Sequence, residues 1–299
     1  MTLDQLKSLQ AIVEGGSLRV AAQNLHRTQP TISVAIKKLE KELGLKLFDR
    51  GQYRNKLTPH GEALYEKAKL VLGQANSFEN LAKQLTTGEE LEVGIAFTSA
   101  IPILPILTTI KQCKTEFPRT RLEIYSENGM GPLDLLEDGQ ASLVIIPWIK
   151  NIETLESMHF MSLRFVSVIS AQSPLLKEYD VVPKDIIRKH PQVIISGRKS
   201  SNTSYGVLEG GDQWKVNDFQ TKKELIVQGM GWGSLPEHLI EDELEQGLLT
   251  PLKVEGDTKM PAIEFRIARL DSEPVGPVAQ RLWQLFQERA KIKDLASLE

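Results

Sequence analysis

Apolar residues Leu3, Leu6, Leu9, Ile12 and Val13 recur at the helical period and stop at Gly15-Gly16, and Ser17 stands where a following helix needs a cap. That next helix, SLRVAAQNL, is short, and Ala21 and Ala22 carry so little bulk that another helix can cross it closely. After a turn at His26-Arg27, the stretch TQPTISVAIKKLE begins with a threonine able to cap neighbouring amides. Its proline falls in a first turn, where the missing amide would have no partner. Advancing by about 100° per residue, Ile32, Ala35, Ile36, Leu39 and Leu43 share one stripe, whereas Pro30, Ser33, Val34, Lys37 and Lys38 gather on the other side. A short helix, a tight turn and an amphipathic basic helix predict a helix-turn-helix. The second helix of such a unit fits the ~12 Å major groove and presents its N-terminal residues, here Gln29, Pro30 and Thr31, to base edges.

After Gly44, LKLFDRGQYRNKLT has two short runs around a polar loop and predicts a hairpin wing. Leu45, Leu47, Phe48 and Leu57 would anchor it, and Arg50, Arg54 and Lys56 would clamp phosphates. From Thr58 to Thr86 the pattern narrows to Leu64, Ala68, Val71, Ala75, Phe78, Ala82 and Leu85, spaced by alternating steps of four and three. A helix of roughly 28 residues spans about 42 Å, and so thin a seam calls for a partner helix. Pairing across a homodimer would set two recognition helices about 34 Å apart on one duplex. TTGEE then reads as a polar hinge.

From Leu91 onward strands and helices alternate. LEVGIAF, RLEIYS and LVIIPW read as strands separated by helices at Pro102–Phe117 and PLDLLEDG, a βαβαβ order that implies a parallel sheet. A second set follows: FMSLRFVSVIS, VIIS, a helix near Lys222–Gln228, GMGWGSLP, and helix EHLIEDELEQG. EFRIARL and the amphipathic VAQRLWQLFQERA then return to the first set. The expected division is a winged helix-turn-helix at 1–58, a linker helix and hinge at 59–88, and a two-lobed α/β body at 89–299. Lobe I would take about 89–161 and 267–299, and lobe II about 162–266.

Charge sharpens this division. The first 60 residues hold ten lysines and arginines against five acids, a net of +5, which leaves −8 on the remainder of a chain whose total is −3. A basic head on an acidic body suits a polyanion as partner of the head alone. The 299 residues suit two or three domains, and 41% hydrophobic with 25% charged residues is a globular composition. No segment approaches the ~20 apolar residues of a membrane helix and the opening lacks a leader pattern, so a cytoplasmic chain is expected. The single cysteine, Cys113, lies on an apolar stripe with Ile106, Leu107, Ile110 and Phe117 and is expected to be a buried thiol.

GSLRVAAQNLHRTQPTISVAIKKLEKELGLKLFDR followed by LTPHG closely resembles the N-terminal domain of LysR-type transcriptional regulators: the AA pair, QP-x-x-S, LE-x-x-LG, LF-x-R and LT-x-x-G occur in order. The resemblance assigns DNA contacts to Gln29, Pro30, Ser33 and Lys37, with Arg50 and Arg54 near the wing, and Thr31, Val34 and Lys38 share that surface. Where many members carry arginine, this chain has Val34, which would lay an apolar side chain against a thymine methyl instead. The body resembles the family's effector-binding domain, similar in architecture to periplasmic binding proteins, at IAFTSAIP, EFP and GMGWGSLP. The family implies a homodimer or homotetramer, a DNA operator, a small-molecule effector and RNA polymerase as partners.

In folds of this kind ligands lie beyond the C-terminal ends of strands, at the switch between lobes. That selects Thr98, Ser99, Ala100, Asn128, Trp148, Ser196, Arg198, Thr203, Met230 and Trp232. Ser99 is expected to cap the helix near Pro102, hydroxyls and helix-start amides to favour a carboxylate or other small anion, and Trp148 and Trp232 to supply an apolar wall. No HExxH, GxSxG, Walker loop or metal-spaced Cys/His cluster appears, and Gly229–Gly233 lacks the GxGxxG spacing, so neither a catalytic residue nor a cofactor or metal is assigned. The alternative is a two-lobed solute-binding protein or ligand-processing enzyme with an accessory DNA-binding head.

Overall fold

The computed structural model describes residues 1–49, 56–148, 152–196, 206–256, 262–271 and 275–296. It divides into two compact units, Met1–Ala82 together with Glu137–Gln140, and the remainder from Lys83 onward.

In the first unit, α1 (Leu3–Gly15), α2 (Leu18–Asn24) and α3 (Gln29–Leu43) follow the apolar pattern. Thr2, Ser17 and Thr28 are the N-caps, each accepting a backbone amide from the first turn. Gly16 ends α1 in the left-handed conformation that a side chain would strain. Leu6, Leu9 and Ile12 of α1, Ala21 and Ala22 of α2, and Ile32, Ile36 and Leu39 of α3 form one core. Leu43, placed by period on the apolar stripe, lies beyond the reach of this core and is exposed. Strands β1 (Phe48–Asp49) and β2 (Lys56–Leu57) pair antiparallel as the base of the wing. Helix α4 runs from Pro59 to Thr87.

In the second unit, lobe I is a five-stranded sheet. Strand β3 (Glu92–Thr98) pairs in parallel with β4 (Arg121–Glu127) and β5 (Leu143–Pro147), joined by helices α5 (Leu104–Glu116) and α6 (Gly131–Glu137). The expected single strand FMSLRFVSVIS is two: β6 (Leu155–Leu163) belongs to lobe I, and β7 (Phe165–Ser170) belongs to lobe II. Arg164 stands at the crossing, its guanidinium forked onto the Glu237 carboxylate. Lobe II adds short helices α7 (Leu175–Glu178) and α8 (Lys184–Ile187), strands β8 (Gln192–Ile195) and β9 (Gln213–Val216), helix α9 (Phe219–Val227), strand β10 (Trp232–Pro236), helix α10 (Glu241–Glu245) and strand β11 (Leu249–Pro251). Its sheet order is β11-β7-β10-β8-β9.

Strand β12 (Ile263–Leu270) returns to lobe I and lies antiparallel between β5 and β6, giving the order β4-β3-β5-β12-β6. The return thus begins at Ile263, one residue before EFRIARL and a few before the expected lobe boundary at about 267, because the strand pairs along its full length with β6. Helix α11 (Pro277–Ala296) closes lobe I, with Val278, Leu282, Trp283 and Phe286 packed on Ile95, Ile106 and Phe265. Cys113 lies in that core, and burial pushes its thiol up to about 11. Among the described residues no helix is long and apolar enough to cross a membrane.

Candidate functional site

Helix α3 divides sharply into two faces. Gln29, Pro30, Thr31, Lys37 and Lys38 are exposed, Ser33 is half-buried, and Val34 is 62% exposed although apolar. The Thr31 amide donates to Thr28 Oγ1 at 3.4 Å, fixing the helix start that carries these side chains. Two nearby cations are occupied within the head: Arg27 forks onto Asp4 at 2.7 and 3.1 Å, and Lys46 pairs with Glu40 at 3.1 Å. Glu40 is buried and also accepts the amides of Leu47 at 2.9 Å and Phe48 at 3.4 Å, which ties the end of α3 to the wing. Burial alone would raise its carboxyl, but these amides and Lys46 hold it below the usual carboxylate range. Arg50 and Arg54 lie outside the described residues.

The predicted seam on α4 splits. Ala68 is 4% exposed and packs with Tyr65 and Leu72 into the head's own core, with Leu64 against it, so a partner helix cannot use Ala68. The first turns carry an apolar stripe wider than a heptad seam, and the head covers it. Farther along, Val71 is exposed, Ala75 half-buried, Ala82 exposed and Phe78 74% exposed. For Leu85 only the helical backbone falls within the described residues.

Between the lobes of the second unit lies a cavity that opens to solvent. Thr98, Ala100, Gly129, Pro147 and Phe265 line it from lobe I. Lobe II contributes Phe165, Ile195, Phe219, Lys222 and Ser234. Of the ten residues selected from sequence, Thr98 and Ala100 therefore reach the cavity. Ser99 does not cap α5, whose N-cap is Ile103 without a side-chain bond. Instead the Ser99 hydroxyl donates to Asn128 Oδ1 at 2.5 Å, and Asn128 Nδ2 donates to the Asn217 carbonyl of lobe II, a polar tie between the lobes. Trp148 lies under the Arg266 guanidinium, 5.0 Å from ring centroid to carbon, apart from the cavity lining. Ser196 follows Ile195 and donates its amide to Val216, and Met230 is exposed away from the lining. Trp232 is 4% exposed within the lobe II core, packed with Ile169, Leu175 and Leu252, because its position in β10 turns it inward; it is no wall of the cavity. Arg198 and Thr203 lie outside the described residues.

Among the lining residues that loop-based reading missed, Lys222 is the charged one. It sits on the stripe Phe219-Lys222-Ile226 of α9, where spacing calls for an apolar side chain, and is 4% exposed. Its stem passes over Gly233: a Cβ there would come within 2.9 Å of Lys222 Cε, so the glycine leaves the room that the lysine fills. Burial drives its amino group down to about 7. The readable signal was a lysine at a core position of an amphipathic helix.

Residues 3–62 match the family model for the bacterial regulatory helix-turn-helix protein of the lysR family, and residues 86–291 match the LysR substrate binding domain. The chain belongs to the LysR family. Among curated relatives, the HTH-type transcriptional activator AllS of Klebsiella pneumoniae is 30% identical over 273 residues, covering 88% of this chain and 97% of its own. The HTH-type transcriptional regulator YeeY of Escherichia coli K12 is 28% identical over 260 residues, covering 86% and 84%. Among solved structures, the LysR family regulator CbnR aligns over 96% of this chain and 99% of its own with a TM-score of 0.57 at 16% identity. A variant of full-length OxyR from Pseudomonas aeruginosa aligns over 96% and 95% with a TM-score of 0.53 at 21% identity. These likenesses fix the fold. As a LysR-family member the chain is a DNA-binding transcription regulator with an effector-binding domain, and not an enzyme.

Proposed function

We propose that this regulator is a cytoplasmic homodimer or homotetramer that reads a duplex operator with the outer face of α3 and changes its activity when a small anion enters the interlobe cavity. The observation that carries the reading is the pairing of an exposed basic recognition face with a separate two-sided cavity. Gln29, Pro30, Thr31, Ser33, Val34, Lys37 and Lys38 form the reading surface, with Arg50 and Arg54 assigned to the wing by the family motif. The exposed Val71, Phe78 and Ala82 support α4 as the pairing helix. The working division remains 1–58 for the head, 59–88 for the linker and 89–299 for the body, and RNA polymerase is the expected downstream partner.

A ligand touching both lobes can shift a regulator only through unequal affinity for their arrangements. Footprinting of genomic fragments with the full-length protein tests the DNA half: protected sites are expected to carry two half-sites about one helical turn apart. A thermal-shift screen of small metabolites, run with wild type and with Ala100→Phe, tests the cavity. Ligands bound there are expected to lose their shift in the variant, and a set of hits all unaffected by Ala100→Phe overturns the cleft assignment.

A further inference from the structure

Lobe II buries an amino group and gives it no described counter-charge. The strands packed under α9 are β7, β8, β9 and β10. Their only ionisable residue is Lys215, which is exposed. On α9 and its cap, the Asp218 carboxylate accepts the Thr221 amide at 2.6 Å, Lys223 pairs with Glu243 at 2.5 Å, and Glu224 accepts from Gln220 at 2.8 Å. On the lobe I side, the carboxylates next in sequence to lining elements are Glu127, whose Cβ and carboxylate lie against Gly131, and Glu264, which pairs with Arg266 at 3.5 Å. The residues that line the cavity with Lys222 are hydroxyl-bearing or apolar, among them Thr98 and Ser234 and the phenyl rings of Phe165, Phe219 and Phe265.

An ammonium buried without a partner is costly, and the group sheds its proton rather than bear that cost. An anion arriving in the cavity removes the cost, while the phenyl walls have no use for the rest of a small inorganic ion. We propose that the cavity takes a monocarboxylate with an apolar, ring-sized body, its carboxylate paired with the Lys222 ammonium and its body set among Phe165, Phe219 and Phe265; this rests on reading the cavity as the effector site. Lys222 is thereby a ligand-specificity residue whose charge is completed on binding.

The sign of the pH dependence follows. The free amino group titrates near 7 because burial lowers it, and a bound carboxylate raises it again. At pH 8 about nine-tenths of the free protein must take up a proton to bind, whereas at pH 6 about a tenth must. Affinity is therefore level below pH 7 and falls up to about tenfold per unit above it.

The test uses full-length protein and two probes, benzoate and phenylacetate, each against its amide. Calorimetry at pH 6 and pH 8 in buffers of different ionisation enthalpy reads affinity and proton uptake together. The expected result is binding of at least one acid more than tenfold tighter than its amide, with close to one proton taken up at pH 8 and little at pH 6. Lys222→Met is expected to erase both the acid preference and the uptake. Lys222→Gln, which keeps an uncharged donor, does the same, and thermal unfolding confirms that both variants fold. Failure of both acids to bind wild type at millimolar concentration overturns the proposal, as does pH-independent binding or an acid preference that survives in both variants. The cleft reading fails separately, when hits in the metabolite screen are untouched by Ala100→Phe.

Discussion

Helices α3 and α9 both carry a pair of adjacent lysines, and the two helices use them in opposite ways. On α3, Lys37 and Lys38 fall off the apolar stripe and stand in water. On α9, Lys223 stands near the surface beside Glu243, but Lys222 falls on the stripe and is buried. Rotation by one residue position decides between a charge that is always present and screened by salt, and one that depends on pH and on what lies beside it. The head therefore offers a steady field suited to phosphates. Lobe II offers a conditional one.

The largest expected effect concerns whether the head's charges act once or twice. If α4 pairs through Phe78, Phe78→Glu puts a charge into that seam and separates the two heads. Operator affinity is then expected to drop by about 10²-fold or more, read by gel shift beside light scattering; an unchanged mass with normal operator binding excludes α4 as the pairing helix.

Lys222→Met sharpens the other side of the comparison. Because the folded-state value near 7 lies below the ordinary lysine value of 10.5, the unfolded chain binds the extra proton between those limits, and wild-type stability rises with pH across that window. The difference in unfolding free energy between variant and wild type is expected to shrink by about 1.4 kcal/mol per pH unit from pH 7 to 10. A constant difference between two such unfolding series means that Lys222 is not neutralised by folding.

Glu40 supplies the head's own buried charge, with the opposite sign. Its folded value is lowered, so its contribution is present above the ordinary carboxylate range and is lost as pH falls through the folded value. Glu40→Gln weakens the tie to the Leu47 and Phe48 amides and is expected to cost about 2 kcal/mol at pH 7, measured by urea unfolding. The cost should vanish in acid. The smallest effect is that of Lys37→Ala: loss of one phosphate contact lowers the salt slope of log K by about one, whereas a lost base contact changes sequence preference at constant slope. Wild-type slope and specificity together remove Lys37 from the interface.

The head was legible because its signals are local. Thr28, Pro30 and the Ile32-Ile36-Leu39 stripe specify cap, entry and buried face within a few turns. The body was legible only in outline. Alternating apolar residues announce a strand at FMSLRFVSVIS, but nothing in them says that Arg164 marks the point where the chain leaves one sheet for another. Strands β9 and β11, three or four residues long, give too little pattern to read. In the cleft, the rule that ligands lie after strand ends selected Thr98 and Ala100, which line the cavity. It overreached at Trp232, whose side chain is claimed by the core, and passed over Phe219 and Lys222, which reach the cavity from a helix face. Ala68 was misread for a similar reason: an apolar residue on a narrow seam does not reveal which neighbour covers it.

The position of β12 has a consequence for how the molecule is made. Lobe II receives its last sheet strand at Leu249–Pro251, whereas lobe I waits for Ile263–Leu270 to slot between two strands synthesised long before. On the ribosome, a domain with every earlier strand in hand still has a gap in its sheet. A nascent chain thus exposes a completed helix-turn-helix unit before its lobe I sheet is closed, and a stop codon ahead of residue 263 leaves the head's sequence whole but removes the strand that joins β5 to β6 and, with it, Phe265 of the cavity lining.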